Sequence, residues 1–201
     1  MGYVNRVSSD GRPVFLYDTN SPYAYLAAQR VGELIPDAVW KPVALPIIFR
    51  AIGKTPWSLS DRRPAGVSEI ERRASERGLP AVTWPEGWPA ESWSWTPLRA
   101  AIIADDEGRQ REFALAAYAK NFVENRSLAE LENVLDAARA AGLDPDAVEA
   151  RLGDDDVKER LRANTDEAIE LGAVGVPTVV AGGELYWGDD RLEEAAAAAS
   201  A

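Results

Sequence analysis

Residues 14–26, V-F-L-Y-D-T-N-S-P-Y-A-Y-L, constrain the fold of this chain more than any other stretch. An apolar and aromatic run suited to a buried strand passes through Asp18, Thr19 and Asn20 and continues into an alanine- and leucine-rich segment of helical character. The layout is strand, turn, helix. Ser21 is a natural N-cap and Pro22 a natural first helical residue, so the serine hydroxyl is expected where the helix presents unpaired N–H groups and partial positive charge. Such a place favours anions, thiolates included.

The chain beyond this start falls into a recognisable order. A helix is expected over 24–34, with Tyr25, Leu26, Ala28, Val31, Leu34 and Ile35 on its apolar face and Pro36 closing it. Residues 38–45, A-V-W-K-P-V-A-L, read as a second strand, parallel to the first because the intervening helix permits a right-handed crossover. Residues 46–97 are rich in proline and hold Trp57, Trp84, Trp88, Trp93 and Trp95; loops and short helices are expected there. Within them 68–78 has the pattern of a helix, with Ser68 as cap, Glu71 completing a capping box and Gly78 as stop. Helices are then predicted over 97–106 (capped by Thr96), 108–125, 127–141 (capping box Ser127 and Glu130) and 145–152 (capped by Asp144). A long helix over 155–171 ends at Gly172, and the acidic run 154–156 reads as its cap rather than as metal ligands. Two short strands, 178–181 and 184–187, are joined by Gly182-Gly183, a strong hairpin signal, and Asp189 is placed to cap a final alanine-rich helix. Residues 1–12 lack periodicity and read as a mobile tail.

Composition removes several kinds of chemistry. The chain has no cysteine, hence no disulfide, no C-x-x-C redox pair and no thiolate of its own. It has no histidine, so a Ser-His-Asp triad and the commonest metal ligand are excluded. A formal net charge of -11 argues against binding to nucleic acid or an anionic membrane and favours small-molecule work. No stretch is apolar over the roughly 20 residues a bilayer span requires, and the N-terminus lacks a signal-peptide layout, so the cytoplasm is the expected location.

A β-α-β half, a helical module and an α-β-β-α half follow the order of the thioredoxin fold in its DsbA-like branch. The motif Y-D-T-N-S-P-Y-A-Y-L resembles the Ser-Pro-Tyr signature of 2-hydroxychromene-2-carboxylate isomerases and kappa-class glutathione transferases. W-K-P-V-A-L, E-R-R-A-S-E-R-G-L-P, T-D-E-A-I-E-L-G-A-V-G-V-P-T and Y-W-G-D-D-R-L resemble that family too, in the right order across residues 14–192.

The resemblance implies an α/β, thioredoxin-like domain formed by residues 13–46 and 155–201, with residues 47–154 as an inserted all-α domain. It implies that Ser21 stands where dithiol relatives carry a cysteine, and that the sulfur is borrowed from glutathione or another low-molecular-weight thiol. The thiol's cysteinyl backbone would pair with Val176, after Gly175 and before a cis Pro177; Asp189 and Asp190 would receive its γ-glutamyl end, and Lys54 and Arg63 its carboxylates. At Lys54 the chain departs from the family, which more often has asparagine after the glycine, so a different thiol stays open. The implied activity is isomerisation of an aromatic hydroxy-acid. Glutathione transfer, or peptide binding without catalysis, are the alternatives, and homodimers are common in the family.

Overall fold

The computed structural model describes residues 11–200. The tail expected over 1–12 therefore lies, for residues 1–10, outside the described residues. Strand β1 (Val14–Tyr17) leads into helix α1 (Pro22–Leu34), which returns the chain to strand β2 (Val39–Pro42), parallel to β1 with Val14 opposite Val39. Seven further α-helices intervene before the second pair of strands: α2 (Leu45–Ala51), α3 (Arg63–Glu76), α4 (Thr96–Asp106), α5 (Gln110–Phe122), α6 (Leu131–Ala140), α7 (Pro145–Arg151) and α8 (Asp155–Glu170). Strands β3 (Thr178–Ala181) and β4 (Glu184–Trp187) form a hairpin, and α9 (Leu192–Ala199) ends the described chain.

The sheet order is β2-β1-β3-β4, with β3 antiparallel to both β1 and β4. This is the expected thioredoxin-like α/β arrangement. The two central strands are buried at every position, which accounts for their unbroken apolar runs, VFLY and TVVA. Gly182 and Gly183 turn the hairpin with φ of 56° and 84°, values that a two-residue loop of this hand requires and that glycine adopts without a steric cost.

Several helix starts differ from the sequence pattern, for local reasons. Ser68 and Glu71 satisfy a capping-box spacing, yet α3 begins at Arg63, a turn earlier, with Pro64 in its first turn. Proline at the start of a helix is favourable, and that signal outweighs the serine, which lies inside the helix. Helix α6 begins at Leu131, because Ser127 instead turns the preceding loop, its Oγ accepting from Ala129 N–H at 3.2 Å. Asn125, with φ of 55°, breaks the run between α5 and that loop. Thr96 caps nothing; Ser94 Oγ receives its N–H at 3.0 Å. Asp144 does cap α7, accepting from Asp146 N–H at 3.0 Å. Asp189 does not cap α9, whose N-cap position is Arg191.

The segment between β2 and β3 holds the turn that precedes α1. Tyr118 Oη on α5 donates to the Asp18 carbonyl at 3.1 Å, and Asn121 Nδ2 donates to the Thr19 carbonyl at 3.3 Å. Trp88 Nε1 donates to the Asn20 carbonyl at 3.2 Å, while Asn20 Nδ2 donates back to the Pro89 carbonyl at 2.8 Å. Every carbonyl of residues 18–20 is thus met by a side chain from a distant part of the sequence, and the start of α1 is fixed in place. No helix among the described residues is long and apolar enough to cross a membrane.

Candidate functional site

Ser21 occupies the N-cap of α1 with extended backbone angles (φ -94°, ψ 115°), and its Oγ accepts from Ala24 N–H at 3.3 Å. Its own hydroxyl proton donates to nothing among the described residues. Ser21 is only 4% exposed, and the little surface it shows lies in a cleft of about 650 Å³. The same cleft is lined by Gly175, Val176 and Pro177, with the Val176–Pro177 peptide bond cis. Pro177 receives Gly188 N–H on its carbonyl at 2.9 Å. The backbone N–H and C=O of Val176 have no hydrogen-bond partner among the described residues. The N-terminus of a helix and an open backbone edge therefore share one cleft.

The remaining walls are largely aromatic. Tyr23 meets Trp57 edge-on at 6.0 Å between ring centroids, and Trp57 leans on Trp88 at 5.7 Å. Trp93, Phe49 and Trp187 complete the aromatic part of the lining. Gly175 packs closely under Trp187: a Cβ there would lie 2.9 Å from Trp187 Nε1, so a side chain at this position would push the indole aside.

Asp18 is a buried carboxylate on the floor of this cleft. Its Oδ1 accepts from Asn20 N–H at 2.9 Å; its Oδ2 accepts from Leu45 N–H at 2.9 Å and from Trp93 Nε1 at 3.1 Å. Burial pushes its pKa above the usual carboxylate range, and the three N–H donors only partly offset this. In the sequence Asp18 reads only as a turn residue. The signal that marks it is an acid directly after a fully apolar strand, three positions before the cap.

The other sequence-predicted residues are distributed unevenly. Asp189 and Asp190 both line the cleft. Asp189 is 1% exposed and pairs with two arginines of the α3 region, Arg73 Nη1 at 2.7 Å and Arg77 Nη2 at 2.5 Å. Asp190 is solvent-facing and stands 4.0 Å from Arg73 Nη1. Lys54 and Arg63 are not among the lining residues. Lys54 reaches the cleft only through Trp187, its Nζ lying 4.6 Å from that ring's centroid. Arg63 donates to the Trp88 carbonyl at 3.1 Å and covers the Trp88 ring from 5.7 Å. Arg73, which sits in the motif E-R-R-A-S-E-R-G-L-P with nothing in the sequence to single it out, is the one arginine or lysine among the lining residues.

Comparison with known proteins agrees with the fold. The family model "DSBA-like thioredoxin domain" matches residues 14–199. A 2-hydroxychromene-2-carboxylate isomerase from Pseudomonas putida is 30% identical over 190 residues, covering 89% of each chain. A protein of the same name from Sphingobium xenophagum is 26% identical over 192 residues, covering 89% of this chain and 93% of its own. Among solved structures, a 2-hydroxychromene-2-carboxylate isomerase superposes with a TM-score of 0.78 at 24% identity over 90% of both chains. The cytosolic disulfide reductase DsbM from Pseudomonas aeruginosa, solved with GSH, gives a TM-score of 0.61 at 17% identity, covering 94% of this chain and 96% of its own. These last two are likenesses of fold.

Proposed function

The chain belongs to the DSBA-like thioredoxin-domain family, and from that premise we propose that it is a thiol-dependent isomerase of the 2-hydroxychromene-2-carboxylate isomerase type, acting on an aromatic hydroxy-acid. The observation that carries this reading is the uncommitted Ser21 hydroxyl at the N-terminus of α1, sharing an aromatic cleft with the open backbone edge of Val176. With no cysteine in the chain, the nucleophilic sulfur comes from glutathione or another low-molecular-weight thiol.

The residues present fit such a thiol at three of its parts. At the sulfur, Ser21 would donate its free proton and α1 would add the N–H of Tyr23 and its dipole, all of which favour the thiolate over the thiol. At the cysteinyl backbone, the unpaired N–H and C=O of Val176 offer an antiparallel pair of hydrogen bonds. At an ammonium end, Asp190 is the available acceptor, since Asp189 is already held by two arginines. A terminal carboxylate meets neither Lys54 nor Arg63 in the cleft lining. When bound, the thiol supplies a nucleophile that adds reversibly to a conjugated carbon and so frees the adjacent bond to rotate. The chain holds the sulfur charged, excludes water with Trp57, Trp88 and Trp93, and offers their rings as a platform for an aromatic substrate.

Isothermal titration with glutathione, and in parallel with other small thiols, tests this directly. Binding of at least one thiol below millimolar dissociation constant is expected, and no binding of any thiol overturns the reading. Ser21→Ala removes a hydrogen bond to a charged group, so the bound thiol's pKa rises by about 1–2 units, read from ultraviolet thiolate absorbance. An unchanged thiol pKa removes Ser21 from the mechanism. Product analysis then shows whether the thiol is regenerated, as isomerisation requires.

A further inference from the structure

We propose that Arg73 is the carboxylate anchor of the cleft, the residue through which an anionic ligand is oriented over Ser21. The cleft lining carries three acids, Asp18, Asp189 and Asp190, and Arg73 alone among cations. In a chain of formal net charge -11 an anionic ligand is repelled unless a local cation receives it.

The guanidinium is held ready for that role. Its Nε donates to Glu69 Oε1 at 2.6 Å and its Nη1 to Asp189 Oδ1 at 2.7 Å. These two carboxylates fix the plane of the fork and leave Nη2 without a partner among the described residues. The guanidinium carbon also lies 5.6 Å from the centroid of the Tyr23 ring, two residues from Ser21, so the group stands beside the first turn of α1. Asp190 is the nearest competitor for it, but at 4.0 Å from Nη1 it lies beyond hydrogen-bond reach and faces solvent. Arg77, the second partner of Asp189, is absent from the lining. The pair therefore divides the work: Arg77 and Arg73 together neutralise the buried Asp189, and of the two only Arg73 lines the cleft, with one nitrogen of its fork still unpartnered.

The ligand chemistry is a carboxylate. Within the proposed function it has two sources, the aromatic hydroxy-acid and the terminal carboxylate of the thiol, for which neither Lys54 nor Arg63 lines the cleft. The inference rests on that reading only for the identity of the physiological ligand, because its test is a binding comparison that needs neither turnover nor thiol.

Two matched pairs of probes are titrated into the full chain: 2-hydroxybenzoate against 2-hydroxybenzamide, and glutathione against its diethyl ester. The wild type is expected to prefer the charged member of at least one pair by about tenfold or more, as a charge-assisted hydrogen bond provides. Arg73→Gln is expected to erase that preference, whereas Arg77→Gln, which disturbs the same buried aspartate without touching the cleft, is expected to retain it. Arg73→Lys, which keeps a charge beside Asp189 while losing the planar fork, is expected to fall between, and it carries the test if Arg73→Gln does not fold. Loss of preference in the benzoate pair assigns the anchor to the substrate; loss in the glutathione pair assigns it to the thiol. A wild type that prefers neither charged probe, an Arg73→Gln protein that keeps its preference, or an Arg77→Gln protein that loses it equally overturns the proposal. If the benzoate preference is found while no thiol binds, the anchor stands and the thiol-dependent reading fails.

Discussion

At Asp18 two demands meet in one side chain. Its carboxylate accepts three N–H groups, from Asn20, from Leu45 at the start of α2 and from the indole of Trp93, and so joins the turn before Ser21 to two separate parts of the cleft wall. Those bonds favour the charged form, yet burial dominates and the pKa is raised. A carboxyl group whose folded pKa exceeds its unfolded value contributes its stability below the ordinary carboxylate range and loses it as the pH rises through the raised value. Wild type is therefore expected to lose stability relative to Asp18→Asn as the pH is raised from the ordinary carboxylate range towards neutrality. The amide leaves at least one N–H donor without its acceptor, which adds a pH-independent cost of about 1–3 kcal/mol or more to the variant. Urea unfolding of both proteins at several pH values reads the trend; a gap that stays constant with pH means Asp18 titrates as an exposed acid does. The same residue shows where reading from sequence stops. The position of Ser21 is legible, because a cap followed by proline is a local signal. The burial of Asp18 is not, because the groups that cover it come from residues 45 and 93.

Helix α3 decides the shape of the cleft at the next scale. Gly66 lies in its first turns against Trp57, where a Cβ would come within 2.2 Å of the ring atoms Cε3 and Cζ3. Trp57 in turn lines the cleft and contacts Tyr23 and Trp88, so the approach of α3 sets the position of the aromatic wall. Gly66→Ala gains about 1 kcal/mol of helix propensity. Overpacking against a large ring costs about 1–3 kcal/mol, and the ring is wedged between neighbours, so the cost wins. A lower melting temperature together with altered tryptophan fluorescence is expected; a more stable protein with an unchanged spectrum means Trp57 has room to move. The sequence pattern misplaces the start of α3 because the Ser68-Glu71 pair offers a cap where none forms. The strands, the hairpin and the long helix α8 are legible because their signals are periodic or local. The residues of α3 that face the cleft and Asp189 are not, since only tertiary packing tells Arg73 from Arg72, which pairs with Glu69 and Glu76 on the exposed face.

For the whole molecule, charge and site pull in opposite directions. The acidic excess is spread over the surface, and much of it is locally paired, as where Arg151 and Arg160 both meet Asp106. The remaining net charge of -11 repels any anion approaching the cleft, while Arg73 attracts it at contact range. The two effects differ in reach. At an ionic strength of about 0.01 M the Debye length is about 30 Å, comparable to the molecule itself, and at about 0.15 M it falls to about 8 Å. Added salt thus removes the long-range repulsion but leaves a half-buried contact at hydrogen-bond distance nearly intact. Association of 2-hydroxybenzoate, followed by stopped-flow quenching of tryptophan fluorescence, is accordingly expected to accelerate between those two ionic strengths with little change in dissociation. The uncharged 2-hydroxybenzamide should show no such dependence. If the benzoate instead associates more slowly as salt is added, the potential at the cleft mouth is positive, and the field of Arg73 and its neighbours, rather than the net charge, governs how an anion arrives.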